Sequence, residues 1–293
     1  MPPLPDPSRP VVCAGEVLWD AVPDGLRLGG APYNVAYHLA HAGRPARLVS
    51  RLGDDVLGRE ARRRLDAGPV DARLVQRDGD LPTGFVGVAL DAAGVPTYDI
   101  ARPAAWDAIA LRSEALEAAD GAAVVFGSLA QRDARSRETL RSLVGAAALA
   151  VFDVNLRPPF VDRDAVEASL GAAALVKLSD EELAELAAWF GLPAGLREAA
   201  AALAERFGCA RVCVTRGADG AALWHGGRWT EHPGVAVDVA DTVGAGDAFL
   251  AGLLAETLGG ADDAAALDRA CRLGAFVASR VGATPAYDGR AGV

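Results

Sequence analysis

Cysteine is scarce in this chain. Four cysteines in 293 residues, without regular spacing, exclude a disulfide scaffold. Cys209 and Cys213, in the apolar run CARVCVT, have no ligand set for zinc around them and read as small buried hydrophobes. The cytosol is the expected compartment. Positive charge is also in deficit: 29 Lys and Arg stand against 39 Asp and Glu, a net charge of −10. A broad basic surface for nucleic acid or anionic lipid is therefore excluded, although one cleft can still be basic. No apolar run approaches about 18 residues without charges or helix breakers, so no membrane span is expected. The proline-rich start MPPLPDPSRP lacks the pattern of a secretory signal and reads as a short disordered tail over 1–10.

What the chain does have is core-forming material, with 51% hydrophobic residues and a mean hydropathy of +0.18. Short β-branched runs (VVCAG, RLVS, AAVVFG, LAVFDVN, ALVKLS, ARVCVTRG) alternate with helix-like stretches such as 133–146, 180–189 and 195–206. That rhythm predicts a mostly parallel sheet covered on both faces. Such sheets collect ligands at the carboxyl ends of their strands, where Asp153, Asn155, Lys177, Ser179, Thr215 and Arg216 fall. Two stretches break the rhythm. Residues 16–30 and 81–100 show period-two patterning and Gly-containing turns, which predicts a small antiparallel flap. No linker or repeat is visible, so one domain is expected over 11–293, with a lid contributed by about 16–30 and 81–102.

The segment DTVGAGDAFLAGLLAETL joins a glycine turn to a helical pattern. Gly244 and Gly246 let the backbone turn tightly, and free amides at a helix start attract an anion such as phosphate. Asp247 then lies in the first helical turn, where a carboxylate either caps the helix or takes a proton from an attacking hydroxyl. No Lys followed by Ser or Thr comes after these glycines, so this is not a Walker A loop. A second motif, GGAPYNVA, places Asn34 in the first turn of another helix, able to donate and accept hydrogen bonds to a polyhydroxylated ligand.

Together, GGAPYNVA and DTVGAGD resemble the ribokinase-like, or PfkB, carbohydrate kinase family over roughly residues 11–285. GEVLWD, PAAWDAI, FDVNLRP and VTRGADGA bring the chain nearest to its bacterial fructokinase branch. The resemblance implies a three-layer α/β/α sandwich with a small β-sheet lid, and direct in-line transfer of the ATP γ-phosphoryl group to a sugar hydroxyl. It makes Asp247 the base and Gly244, Ala245 and Gly246 the anion hole, with Asp20, Gly30 and Asn34 on the sugar. Thr215, Gly217 and Gly220 match positions near ATP, joined by Lys177 at a strand end and by Gly246; ASRVGATPA resembles the loop beside adenine. The family's N-x-x-E pattern, which organises Mg2+ through water, becomes Ser179 and Glu182 in SDEE, so the Asn role is in doubt. A monovalent cation such as K+ near Asp241 belongs to the same resemblance, and Asp241 equally suits an Asx-type structural role.

Other features carry less. His38 and His41 share a helix face without acidic or thiol partners, and His225 and His232 are no more specific. Trp19, Phe85, Tyr98 and Trp106 each read singly as packing residues; as a set they flank the flap, where aromatic faces can exclude water and pack on a sugar. Arg102 lies close enough to contact sugar or phosphate, or else solvent. The expected reaction is D-fructose to D-fructose 6-phosphate. Alternatives are another ketose, a ribose-like sugar or 2-keto-3-deoxygluconate as substrate, a non-catalytic sugar-responsive protein, and, weaker still, an NAD-dependent oxidoreductase. An exposed flap edge invites pairing with a second copy into a homodimer.

Overall fold

In the computed structural model, residues 4–6, 8–22, 25–90 and 96–287 are described. The flap turn expected at 91–95, the last residues 288–293 and the side chain of Tyr98 lie outside them. In chain order the strands are β1 (Val11–Ala14), β2 (Leu18–Val22), β3 (Gly25–Gly29), β4 (Ala46–Gly53), β5 (Asp71–Asp78), β6 (Gly84–Leu90), β7 (Pro96–Ile100), β8 (Ala123–Gly127), β9 (Leu149–Asp153), β10 (Leu175–Ser179), β11 (Arg211–Thr215), β12 (Ala221–His225) and β13 (Arg228–His232). The helices are α1 (Ala31–His41), α2 (Val56–Ala67), α3 (Ser113–Ala119), α4 (Ala134–Ala146), α5 (Arg163–Ala172), α6 (Asp180–Phe190), α7 (Leu196–Phe207), α8 (Ala245–Leu258) and α9 (Asp263–Ala278).

The main sheet has the order β13-β12-β11-β10-β9-β8-β1-β4-β5, parallel except for the edge hairpin β12–β13. All six runs expected as strands are in it. Its parallel strands are apolar on both faces because each face carries a core. Val11 and Cys13 point into one, with α1, α2, α8 and α9; Val12 and Ala14 point into the other, with α3 to α7. The alternation along β1 is the period-two geometry of a strand placed between two helical layers. β5 was not foreseen: DARLVQRD is an edge strand whose exposed positions are charged, which hides its periodicity.

From β1 the chain builds outward to β4 and β5, then returns to β8 on the other side of β1. That reversal is a topological switch point, where parting loops leave a crevice at the carboxyl edge. The small sheet, β3-β2-β6-β7, rises there, with all four strands inside the ranges expected for the lid. Its pairing is mixed: β2–β3 and β6–β7 are antiparallel, whereas β2 and β6 run parallel.

Both chain ends of the β6–β7 half are anchored. Before β6, Thr83 donates its amide and hydroxyl to Asp55 at 2.7 and 2.8 Å. After β7, the Ala101 carbonyl accepts from Arg132 at 2.7 Å, and Arg132 pairs with Asp107, both side chains 1% exposed. Arg132 also lies 3.9 Å from the Trp106 ring centroid. Trp106 is therefore a wholly buried part of the root, not a surface for a sugar. Trp19 is likewise buried, its Nε1 on the Leu57 carbonyl at 3.0 Å, while Phe85 stays half-buried. Within the expected tail, Leu4 packs against the core and Arg9 donates to the Asp120 carbonyl.

Candidate active site

Helix α8 is apolar all round and buried against α1, α9 and the sheet, so its first turn is firmly held. It has no side-chain cap. Its cap position, Gly244, has φ 77°, and a Cβ there would sit 2.6 Å from Ala283 Cα. Glycine is required on both counts. The Ala245 amide is used internally, donating to the Thr242 carbonyl at 3.2 Å to close the turn. This corrects the expectation of three free amides: among the described residues, those of Gly244 and Gly246 are the ones without an internal partner.

Asp247 follows on the first turn, 9% exposed. Its Oδ2 accepts a 2.8 Å hydrogen bond from Asn34 Nδ2, so the two motifs, far apart in sequence, meet here. Asn34 rides on α1, whose cap Gly30 has φ 109° and whose Cβ, if present, would lie 2.4 Å from the Glu16 carbonyl oxygen. Asn34 Oδ1 is buried with no partner among the described residues. Such an acceptor calls for a ligand hydroxyl or water.

Charge converges on the same point. Lys177, on β10, donates to Asp153 at the end of β9 at 3.0 Å, and its Nζ would be 3.1 Å from a Cβ on Gly246. Burial opposes the Lys177 charge, but Asp153, Asp247 and Glu182 outweigh it and hold the ammonium above its ordinary range. Asp247 is pushed up to about 6, by burial first and by the Asp153 charge; Lys177, the Asn34 hydrogen bond and Arg157 oppose the rise. Asp20, paired across the strands with Arg27, is also raised to about 6 by burial, against Arg157 and Arg27. Glu16 lies near Asp247 and is 3% exposed.

Ser179 and Glu182 form a reciprocal capping box at the start of α6. The two Glu182 oxygens accept from the amides of Leu156 at 2.7 Å and Ser179 at 2.9 Å. Burial raises the Glu182 pKa, with Asp153 adding to the rise. Among the described residues no three acidic, thiol or imidazole groups converge as a ready metal site. The donor set nevertheless fits a hard divalent ion held through water and phosphate, since Asp153 Oδ2 is buried without a partner among the described residues and Glu182 keeps spare lone pairs. Asp241 ties the loop before α8 to its surroundings: Oδ1 accepts from Val243 N at 3.0 Å, and Oδ2 from Gly282 N at 2.9 Å and Arg27 at 3.4 Å. A cavity of about 490 Å³ extends from Asp20 past Arg27, Tyr33 and Arg64 to Thr284.

Thr215 ends β11 beside β10, its hydroxyl 3.4 Å from the Leu178 carbonyl, and Gly217 opens the turn that follows. A Cβ on Gly220 would meet the His232 carbonyl at 2.0 Å, so hairpin packing accounts for that glycine. Residues 233–240 carry no regular secondary structure and leave Val235, Val237 and Val239 exposed, next to the end of α9 through Ala240 N to Ala278 O at 2.8 Å. Arg102 is exposed at the root of the small sheet, acting on Asp133, and does not join the cluster. His38 is fully buried, bonded to Tyr287 and the Ala283 carbonyl, and His225 and His232 pair with Asp263 and Asp268. Sequence reasoning missed Glu16 and Arg157. The signal was available: both follow strand runs at the carboxyl edge.

The chain matches the pfkB family carbohydrate kinase profile over residues 14–288. It belongs to the pfkB family of carbohydrate kinases. As a member it is an ATP-dependent sugar kinase with the ribokinase-like fold. Among its relatives, the fructokinase of Klebsiella pneumoniae is 34% identical over 256 residues, covering 82% of each chain. The aminoimidazole riboside kinase of Salmonella typhimurium is 30% identical, over 77% of this chain and 72% of its own. The crystal structure of Vibrio cholerae O395 fructokinase, bound to fructose, ADP and calcium, superposes with a TM-score of 0.80 at 26% identity, covering 95% and 96%. No described helix is long and apolar enough to cross a membrane.

Proposed function

We infer that the protein phosphorylates D-fructose at its 6-hydroxyl, with Asp247 as the base. The observation that carries this reading is the Asn34 to Asp247 hydrogen bond, which holds one carboxylate oxygen and leaves the other for a hydroxyl at the mouth of the glycine turn. Asp247 takes the proton as the sugar oxygen attacks the γ-phosphorus. The bond to the bridging oxygen breaks, and ADP leaves with its electron pair. The amides of Gly244 and Gly246 stand where negative charge moves, at the positive end of α8, and Lys177 adds a fixed cation. A base with pKa near 6 is mostly ionised at neutral pH yet still basic enough to accept a proton.

Asp20, Gly30 and Asn34 face the sugar in this reading, and Arg157 joins them. Lys177, Thr215 and Gly217 serve the phosphates, while the exposed valines 235, 237 and 239 offer an apolar strip to the purine. Glu182, with Asp153, would hold Mg2+ through water; bound there, the ion neutralises phosphate charge. The Asp241 loop suits K+. Swinging of the small sheet over the sugar would exclude water and limit ATP hydrolysis. The open edge of β3, with Leu26 exposed, supports a homodimer through the lid, to be checked by light scattering across protein concentrations. Four free, buried cysteines fit a reducing compartment, the cytosol.

Fructose is supported by the fructokinase relatives and by the fructose in the Vibrio structure. A second reading, a sugar carrying a ring substituent, is favoured by the cavity beyond Asp20 and by the riboside kinase relative. An ATP-dependent assay over D-fructose, D-ribose, 2-keto-3-deoxygluconate and aminoimidazole riboside, with the phosphorylated carbon identified, decides between them. Fructose should give the highest kcat/KM and fructose 6-phosphate; a tenfold preference for another substrate, or phosphate at another carbon, refutes the fructose reading.

A further inference from the structure

We propose that His38 is a positioning residue for phosphoryl transfer: its imidazole clamps the segment 282–285 onto α1 and so seats Ala283 against the glycine turn that starts α8. His38 lies on the buried face of α1, one turn after Asn34, and is fully buried. Both ring nitrogens are bonded, Nε2 to the Ala283 carbonyl at 2.8 Å and Nδ1 to the Tyr287 hydroxyl at 2.7 Å. A carbonyl oxygen can only accept, so Nε2 carries the proton, and the neutral ring leaves Nδ1 to accept from the tyrosine. Burial keeps the ring in that neutral form: it pushes the pKa down to about 4, with the Ala283 hydrogen bond opposing the fall and His41 adding to it.

The residue that His38 holds is the one that touches the turn. A Cβ on Gly244 would stand 2.6 Å from Ala283 Cα and 3.0 Å from the same carbonyl oxygen that the imidazole grips. One residue earlier, Gly282 donates its amide to Asp241 Oδ2 at 2.9 Å, and Asp241 Oδ1 accepts at 3.0 Å from Val243, the neighbour of Gly244. The segment is thus bonded on one side to the loop that enters α8 and on the other to α1. The α1 side is reinforced by Tyr37, whose hydroxyl donates to the Pro285 carbonyl at 3.0 Å, and by Tyr287, stacked on His41 with ring centroids 4.2 Å apart.

Ala283 is 7% exposed, so its carbonyl has little water to turn to if the imidazole is lost. The segment would then shift toward another donor, and the Gly244 amide, packed on it, would follow. Donors preset for a moving negative charge act through their position, and misplacement by about 1 Å costs on the order of 10²-fold in rate.

This inference rests on the amides of Gly244 and Gly246 receiving the phosphoryl charge, and the experiment separates the two. Asn and Gln each reproduce one ring nitrogen: a Gln amide reaches the place of Nε2 and can donate to Ala283, whereas an Asn ends at the place of Nδ1 and meets only Tyr287. Each variant loses one hydrogen bond and some packing, so a purely structural histidine predicts similar losses in both. With D-fructose and ATP, His38→Gln should keep kcat within about threefold, and His38→Asn should lower it about 10- to 100-fold. Fructose affinity measured by calorimetry without nucleotide should stay close to parental in both, because α1 remains packed on α8 and Asn34 on Asp247. Amide NMR spectra should show Gly244 and Gly282 displaced in His38→Asn and unmoved in His38→Gln, a readout free of catalysis. In the parent, 15N NMR should find the His38 proton on Nε2 down to about pH 5. Equal losses of kcat in the two variants overturn the proposal, as does an unmoved Gly244 in folded His38→Asn or a parental proton on Nδ1. If His38→Asn does not fold, the Gln variant keeps the test decisive, since a kcat more than about tenfold below parental there overturns the proposal. A displaced Gly244 with parental kcat would instead overturn the anion-turn reading.

Discussion

Replacing Asp247 by Asn should make the protein a far slower kinase and a more stable fold. Asn is nearly the same size and keeps an oxygen for the Asn34 amide, so the change removes a charge and a proton acceptor but little packing. General bases contribute about 10²- to 10⁴-fold, and turnover should fall by that range while ATP affinity stays close to parental. Stability should move the other way. The Asp247 carboxyl titrates at about 6 in the folded protein against an ordinary 3.8, so folding costs the ionised form about 3 kcal/mol at 1.36 kcal/mol per pH unit. Because the folded pKa is raised, this penalty is absent below about pH 3.8 and grows as pH rises through about 6. The Asn variant should accordingly melt about 5 °C higher at pH 8, with the advantage vanishing toward pH 4. A coupled assay for ADP release and thermal melts at several pH values test both halves. Near-parental turnover, or a melting point at pH 8 below that of the parent, would refute the reasoning.

Three further outcomes follow from the same geometry. Lys177→Met strands Asp153 in a site where it is 3% exposed; stability should drop by about 3–5 kcal/mol in urea unfolding, and adding Asp153→Asn should recover much of it. Gly244→Ala drives a methyl group into Ala283; kcat should fall about 10- to 100-fold with the far-ultraviolet circular dichroism unchanged, since the displaced part is the amide turn. Glu182→Gln puts an NH2 against an amide of Leu156 or Ser179, and a Mg2+ titration of activity should show a requirement about tenfold higher.

Much of this arrangement was legible in the sequence because it is local. Gly244, Gly246 and Asp247 occupy one helix start, where glycine spacing and a first-turn carboxylate follow from backbone geometry. The strands of the small sheet were readable from alternation, and those of the main sheet from continuous β-branched runs. What could not be read was which side chains meet. Asp153 and Lys177 were both placed at strand ends, yet only the β9–β10 register puts them 3.0 Å apart. Nearness to the flap in sequence does not say which way the Trp106 ring points; of the packing and sugar-facing readings, burial against Arg132 and the second core selects packing. Gly220 matched a nucleotide-site position, whereas its missing Cβ is already explained by the backbone of the next strand.

The paired anchors beneath β6 and β7, Thr83 on Asp55 and Ala101 on Arg132 with Asp107, have a consequence for how such an enzyme can change. They pin both ends of the 84–100 segment to the body, and Val86 and Ile100 sink into the second core beside Trp106, so change there is confined to positions facing away from it. Variation in that ribbon therefore alters how the crevice is roofed, while the groups assigned to the acceptor, Asp20, Gly30 and Asn34, belong to other segments and stay put.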